Sequence, residues 1–98
     1  MAKYLILWHL NPTAVPPDPA EHAKLNEMLY ARIDNMLKKS EITEFGFFLE
    51  GSSGYAISEG ESADTFNLLT GFFPVIRFEP REIIPYKMGK EILKVTKP

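Results

Sequence analysis

Glu44-Phe45-Gly46-Phe47-Phe48-Leu49-Glu50-Gly51-Ser52-Ser53-Gly54-Tyr55-Ala56-Ile57-Ser58-Glu59 is the stretch whose reading decides the fold. Two aromatic-rich, strand-forming runs meet at a Gly-Ser-Ser-Gly corner, and this pattern reads as a β-hairpin. With Gly51 to Gly54 at the corner, Leu49 is expected across from Ala56 and Phe47 across from Ser58 on one face, with Phe48 facing Ile57 on the other. A helix-like segment flanks the hairpin on each side, and beyond each helix lies another strand-like run. The order is β-α-β followed by β-α-β, with the hairpin as its hinge.

Upstream, Tyr4-Leu5-Ile6-Leu7-Trp8-His9-Leu10 is apolar in both alternating phases. Tyr4, Ile6, Trp8 and Leu10 point one way, and Leu5, Leu7 and His9 the other. Such a strand belongs in the middle of a sheet covered on both sides. Asn11-Pro12 ends it, and the prolines up to Pro17 predict a stiff, non-helical connection. Asp18-Pro19-Ala20-Glu21 then starts a helix: Asp18 caps the free amides, Pro19 suits the first helical position, and Glu21 reaches back. Leu25, Met28, Leu29, Ile33, Met36 and Leu37 form its expected apolar stripe, ending near Lys39.

Downstream, Ser62 is the expected cap of a shorter helix, with Phe66, Leu69 and Phe73 as its inward edge and Gly71 as its end. Pro74 to Glu79 reads as the fourth strand, and Pro80, which has no N–H to donate, suggests a sheet edge. The tail offers a short extended piece at Glu82-Ile83-Ile84, a break at Pro85 and a turn of helix after Gly89.

Residues 1–98 make one domain, long enough to bury roughly two-thirds of its unfolded surface. Apolar residues at 45% and charged residues at 24% exclude disordered and fibrous classes. The absence of cysteine removes disulfides, thiolate metal sites and thiol nucleophiles, and fits a reducing, cytoplasmic setting. A net charge of −2 gives no electrostatic reason to expect nucleic acid or a membrane partner. The longest apolar run, Leu5 to Trp8, is too short to span a bilayer.

Two right-handed β-α-β units most simply give an α+β, ferredoxin-like βαββαβ domain: a four-stranded antiparallel sheet with both helices on one face. The first and third strands are then central. Two helices cover one face only, while the strands carry large apolar residues in both phases. Leu5, Leu7, Phe48, Ile57 and Phe78 are the expected surplus, and a second copy of the chain is the expected cover.

The element order, Lys3 to Trp8, the Gly46-Phe47-Phe48 and Gly54-Tyr55-Ala56 pieces, and Phe73-Pro74-Val75-Ile76-Arg77-Phe78-Glu79 resemble the dimeric α/β-barrel superfamily. Within it, the chain is similar to a branch of short prokaryotic proteins of unknown function. The resemblance implies a homodimer in which two sheets pack face to face to form the barrel. Its relatives include muconolactone isomerases, cofactor-independent monooxygenases and haem-degrading monooxygenases, so it speaks to architecture more than to chemistry.

Among residues able to carry chemistry, His9 is the leading proton carrier, with Asn11 two residues on as its partner. The competing reading is a histidine exposed at a strand end. Trp8, Tyr55 and Arg77 are candidate ligand-binding residues: an aromatic floor, a hydroxyl and a carboxylate anchor. A packing role competes for Tyr55, and a cross-strand or intersubunit ion pair made by Arg77 and Glu79 competes for the last. Trp8 and His9 point to opposite faces and do not easily line one cavity. His22 reads as a surface residue, and neither histidine has the carboxylate spacing of a metal motif, so no metal and no cofactor are expected. The run from Glu44 to Leu49 resembles the aromatic signature of RNA-recognition motifs, but it sits on the second strand and lacks the leading basic residue.

Three functions follow as expectations. The first is a homodimer binding a small apolar or aromatic molecule between sheet and helices. The second is a cofactor-independent isomerase or monooxygenase using His9, and the third a non-catalytic assembly module.

Overall fold

The computed structural model describes residues 2–96. Four strands, β1 (Ala2–Leu10), β2 (Glu44–Phe47), β3 (Ser53–Gly60) and β4 (Ile76–Ile83), alternate with helices α1 (Pro19–Lys38) and α2 (Ser62–Thr70). A third helix, α3 (Tyr86–Thr96), follows the last strand. The sheet is antiparallel in the order β2-β3-β1-β4. This α+β architecture, with β1 and β3 central, is compatible with a ferredoxin-like arrangement.

The register decides which of the two apolar phases of β1 meets the helices. Ile6 lies opposite Ala56 and Pro80, and Trp8 opposite Gly54 and Phe78. These residues share a side with Phe45 and Phe47 of β2. Ile6, Trp8, Ala56 and Ile76 are buried there against Leu29, Ile33 and Met36 of α1 and Phe72 after α2. Leu5, Leu7 and His9 take the other, open face with Tyr55, Ile57, Arg77, Glu79 and Arg81.

Several local expectations are corrected. The hairpin turns two residues earlier in the chain than expected, so Phe47 pairs with Gly54 and Phe45 with Ala56, and Leu49 leaves the sheet fully exposed. The Phe48 N–H donates to the Ser53 carbonyl at 2.8 Å and the Gly51 N–H to the Phe48 carbonyl at 2.9 Å, closing the loop at Gly51 with φ 84°. The four-residue shift is even, so each side chain keeps its face. In α1, capped by Asp18 Oδ2 accepting from the Glu21 N–H at 3.1 Å, Met28 is 65% exposed and Leu37 also points outward.

The second helix turns a different stripe inward. Thr65, Leu68, Leu69 and Phe72 are its sheltered positions, while Phe66 and Phe73 are 69% and 73% exposed. Phe66, Leu69 and Phe73 fall at i, i+3 and i+7, as Thr65, Leu68 and Phe72 do, and the polar Thr65 hid the true stripe. Its hydroxyl lies 3.4 Å from that of buried Ser58 on β3, so the two polar groups satisfy each other inside. Glu61 rather than Ser62 occupies the cap position, without a side-chain hydrogen bond.

The fourth strand is longer than expected and absorbs the separate piece at Glu82-Ile83. The Asn11 N–H donates to the Val75 carbonyl at 2.8 Å. Counting along the ladder by twos from that bond turns the Pro80 nitrogen away from β1, toward the free edge. A missing donor there blunts strand addition, as edge prolines do. The tail forms a helix of 11 residues in place of a single turn.

Candidate functional site

A cavity of about 330 Å³ opens between α1 and the helix-facing side of the sheet. Trp8 and Leu10 of β1 and Phe45 and Phe47 of β2 form its floor, and His22, Asn26, Leu29, Tyr30 and Ile33 of α1 its roof. Glu50, Gly51 and Ser52 from the hairpin loop close one end. The amphipathic spacing of α1 explains the roof: Leu29 and Ile33 sit on the buried stripe, while His22, Asn26 and Tyr30 follow at four-residue steps along its border.

The floor is an aromatic cluster. Trp8 and Phe45 stack at 5.3 Å between ring centroids, and Phe47 meets both edge-on at 5.6 and 5.7 Å. Tyr30 reaches across from α1 to Phe47 at 6.5 Å. Trp8 fits because Gly54 lies opposite: a Cβ there would stand 2.6 Å from the indole and 2.0 Å from the Gly46 carbonyl oxygen. Trp8 is 4% exposed, and its indole N–H has no hydrogen-bond acceptor among the described residues. An unmet buried donor is costly, so the aromatic packing around it must outweigh that cost.

At the mouth the polar groups are Glu50, Asn26 and His22. The Ser53 hydroxyl donates to the Glu50 carboxylate, which holds the acid below its ordinary range and fixes a negative charge at the rim. The arrangement can stack a flat apolar body on the floor and receive hydrogen bonds or a positive edge at the rim.

The residues singled out in the sequence do not converge. Only Trp8 lines this cavity. Tyr55 and Arg77 lie on the open face, on different strands with β1 between them. The Tyr55 ring covers Gly46, and its hydroxyl donates to the Glu44 carboxylate, which raises the phenol above its ordinary value. His9 is exposed on that same open face between Ser53 and Arg77.

Asn11 is built into the scaffold rather than offered to a substrate. Its amide nitrogen donates to the Pro74 carbonyl at 3.1 Å, and its side-chain oxygen accepts from the Thr13 hydroxyl at 2.8 Å. It thereby caps a single 3₁₀ turn at Pro12–Ala14, a helical turn where the prolines argued for none.

Of the five residues expected between subunits, Leu5, Leu7 and Ile57 are half-buried on the open face, where Phe48 stacks on Tyr55 at 6.3 Å. Phe78 is corrected: its register opposite Trp8 turns it to the helices, where it meets Phe72 at 5.9 Å. The same register turns Phe45 and Phe47 away from the open face on which an RNA-recognition sheet would stack bases.

His22 is the residue that the sequence reading set aside and the cavity recruits. The signal available was the line His22, Asn26, Tyr30 beside the apolar stripe. Among the described residues, no group of three or more His, Asp or Glu is placed to hold a metal ion. No helix among them is long and apolar enough to cross a membrane. The chain matches no protein-family model and no curated protein.

Proposed function

We propose that this protein is a homodimer that binds a small aromatic molecule in the cavity between α1 and the sheet. The observation that carries the ligand reading is the stacked Trp8–Phe45 floor beneath about 330 Å³ of open volume, a size within the range of small-molecule sites. The rim selects the ligand's edge. Glu50, ionised through its Ser53 contact, favours a donor or cationic group there, and Asn26 and His22 supply further hydrogen bonds.

The dimer reading is supported by the open sheet face. Leu5, Leu7, Tyr55 and Ile57 form an apolar strip bordered by Arg77, Glu79 and Arg81 along one edge. An apolar centre with a charged rim is the usual anatomy of a protein interface. The resemblance to dimeric α/β barrels points to the same face. Catalysis through His9 and Asn11 has no comparable support, because the cavity opens on the opposite side from His9.

A thermal-shift screen of small aromatic amines and heteroaromatic bases tests the ligand reading. A binder raises the melting temperature of the native protein, and Asn26→Phe, which fills the cavity from α1, abolishes the shift. Shifts that survive Asn26→Phe would place the ligand elsewhere. For the dimer, Leu7→Glu is expected to convert a species of twice 11.2 kDa to a monomer in sedimentation. An unaltered mass would remove the open face as the contact.

A further inference from the structure

We propose that the two-fold axis of the dimer runs along the strands between β1 and β3, so that Arg81 of each copy pairs with the partner's Glu44 and Lys3 with the partner's Glu59. This rests on the dimer reading and adds to it the orientation of the two sheets and the contacts that select a second copy of this chain.

The register arranges the open face in rows that run across the sheet from β2 to β4. One row reads Glu44, Ile57, Leu5, Arg81, and the next Gly46, Tyr55, Leu7, Glu79. On the other side of the first row, Glu59, Lys3 and Ile83 follow one another from β3 to β4. Leu5, Leu7, Tyr55 and Ile57 are half-buried at the centre, and Lys3, Glu44, Glu59, Glu79 and Arg81 are exposed around them. In the rows of Leu5 and Lys3 the acid therefore stands on the β2–β3 side and the base on the β1–β4 side.

In a dimer with two-fold symmetry, a contact of one residue with a second on the partner is repeated with the copies exchanged. Sheets that pack face to face keep their strands within about 30° of each other, which leaves two aligned axes: along the strands or across them. An axis along the strands, at the middle of the four-stranded sheet, lays each row on the same row of the partner in reverse order. Glu44 then meets Arg81, Glu59 meets Lys3, Ile57 meets Leu5 and Tyr55 meets Leu7. Glu79 falls over Gly46, which has no side chain to obstruct it. Both kinds of ion pair occur twice, around one apolar centre.

An axis across the strands through the same centre lays β4 on β4. It pairs Arg81 with Glu79, but it puts Lys3 over His9 and leaves Glu44 and Glu59 facing Gly46 and Ser53. Charge thus favours the axis along the strands, which leaves neither Glu44 nor Glu59 without a cation. With strands about 4.8 Å apart, Arg81 and Glu44 sit roughly 8 Å from the centre, and a crossing of about 30° displaces the pair by about 4 Å, within the reach of an arginine side chain. Pairs of this kind at a rim act chiefly by fixing register and rejecting wrong arrangements.

Charge reversal followed by mixing tests the axis. Arg81→Glu and Glu44→Arg, both at exposed positions, are each expected to weaken the dimer about tenfold in sedimentation, because each homodimer then sets like charges face to face twice. Matching far-ultraviolet circular dichroism shows that both remain folded. Mixed in equal amounts, the two variants are expected to dimerise within about threefold of the unsubstituted Kd, since a pair with one chain of each kind restores opposite charges at both contacts. Glu79→Arg alone is expected to change the Kd by less than about threefold. Weakening by Glu79→Arg, with recovery on mixing it with Arg81→Glu, would put the axis across the strands and overturn the proposal. Single variants that do not weaken the dimer, or a first mixture no stronger than its components, overturn it too and leave the dimer reading to the Leu7→Glu result. An unsubstituted protein that sediments as a monomer removes the dimer reading and this proposal with it.

Discussion

The two faces of the sheet share the same strands and differ in what covers them. On the helix side, Ile6 and Trp8 are buried with Ala56, Ser58 and Ile76 beneath α1 and α2. One residue along in β1, Leu5 and Leu7 are only half-buried, although they are as apolar as their neighbours. Burial is thus conferred by the crossover helices and not by hydrophobicity. The strand β4 resolves the ambiguity that β1 leaves, because it places Arg77, Glu79 and Arg81 on one side and Ile76 and Phe78 on the other. A single polar-alternating edge strand therefore orients a central strand whose own pattern is neutral.

The sharpest way to break this comparison is to truncate equivalent residues on the two faces. Ile6→Ala is expected to cost about 2–5 kcal/mol in urea unfolding, the range for buried aliphatic truncation. Leu7→Ala is expected to cost less than about half as much at protein concentrations low enough to keep the chain monomeric. Equal costs in that regime would mean that the open face is as well packed as the other. A gap that closes as concentration rises would show a second copy covering Leu7.

The glycines give a second contrast. Gly54→Ala drives a Cβ to 2.0 Å from the backbone oxygen of Gly46, a contact that only movement of the strands relieves. A loss of about 1–3 kcal/mol is expected. Gly46→Ala meets the far end of the Tyr55 ring at 2.4 Å on the open face, and that ring can swing outward. Its cost is expected to be the smaller of the two by urea titration; the reverse order would mean that Tyr55 is pinned from above.

The smallest effects concern pH. Tyr55 is raised above 10.0 by its hydrogen bond to Glu44, so the folded state prefers the neutral phenol. That contribution is complete below pH 10 and is lost as pH rises through the raised value, and Tyr55→Phe is expected to flatten the alkaline limb of stability. Glu50 is lowered beneath 4.5 by Ser53, so its contribution is present above pH 4.5 and is lost as pH falls through the lowered value. Glu50→Gln is expected to flatten the acidic limb. Both groups are exposed, and the changes are small shifts in melting temperature along a pH series.

Particular elements show how far the chain was legible. The start of α1 was readable because Asp18-Pro19 acts through contacts within four residues. The helix α2 was not, because its two candidate stripes differ by one position and the winning one contains a threonine made acceptable only by Ser58 across the core. The cavity escaped for a similar reason. His22, Asn26, Phe45 and Glu50 come from a helix, a strand and a loop that are brought together only by folding.

The sequence by itself determined the order of strands and helices, the central position of β1 and β3, and the hairpin. Those features follow from periodicity, caps and turn residues that act locally. Tertiary structure alone decided which phase of β1 is inside, which stripe of α2 packs, where the hairpin register falls, and that Asn11 is a tie and Phe78 a core residue. Each of these depends on a partner far away in the chain, and a side chain's burial is fixed by what lands on it.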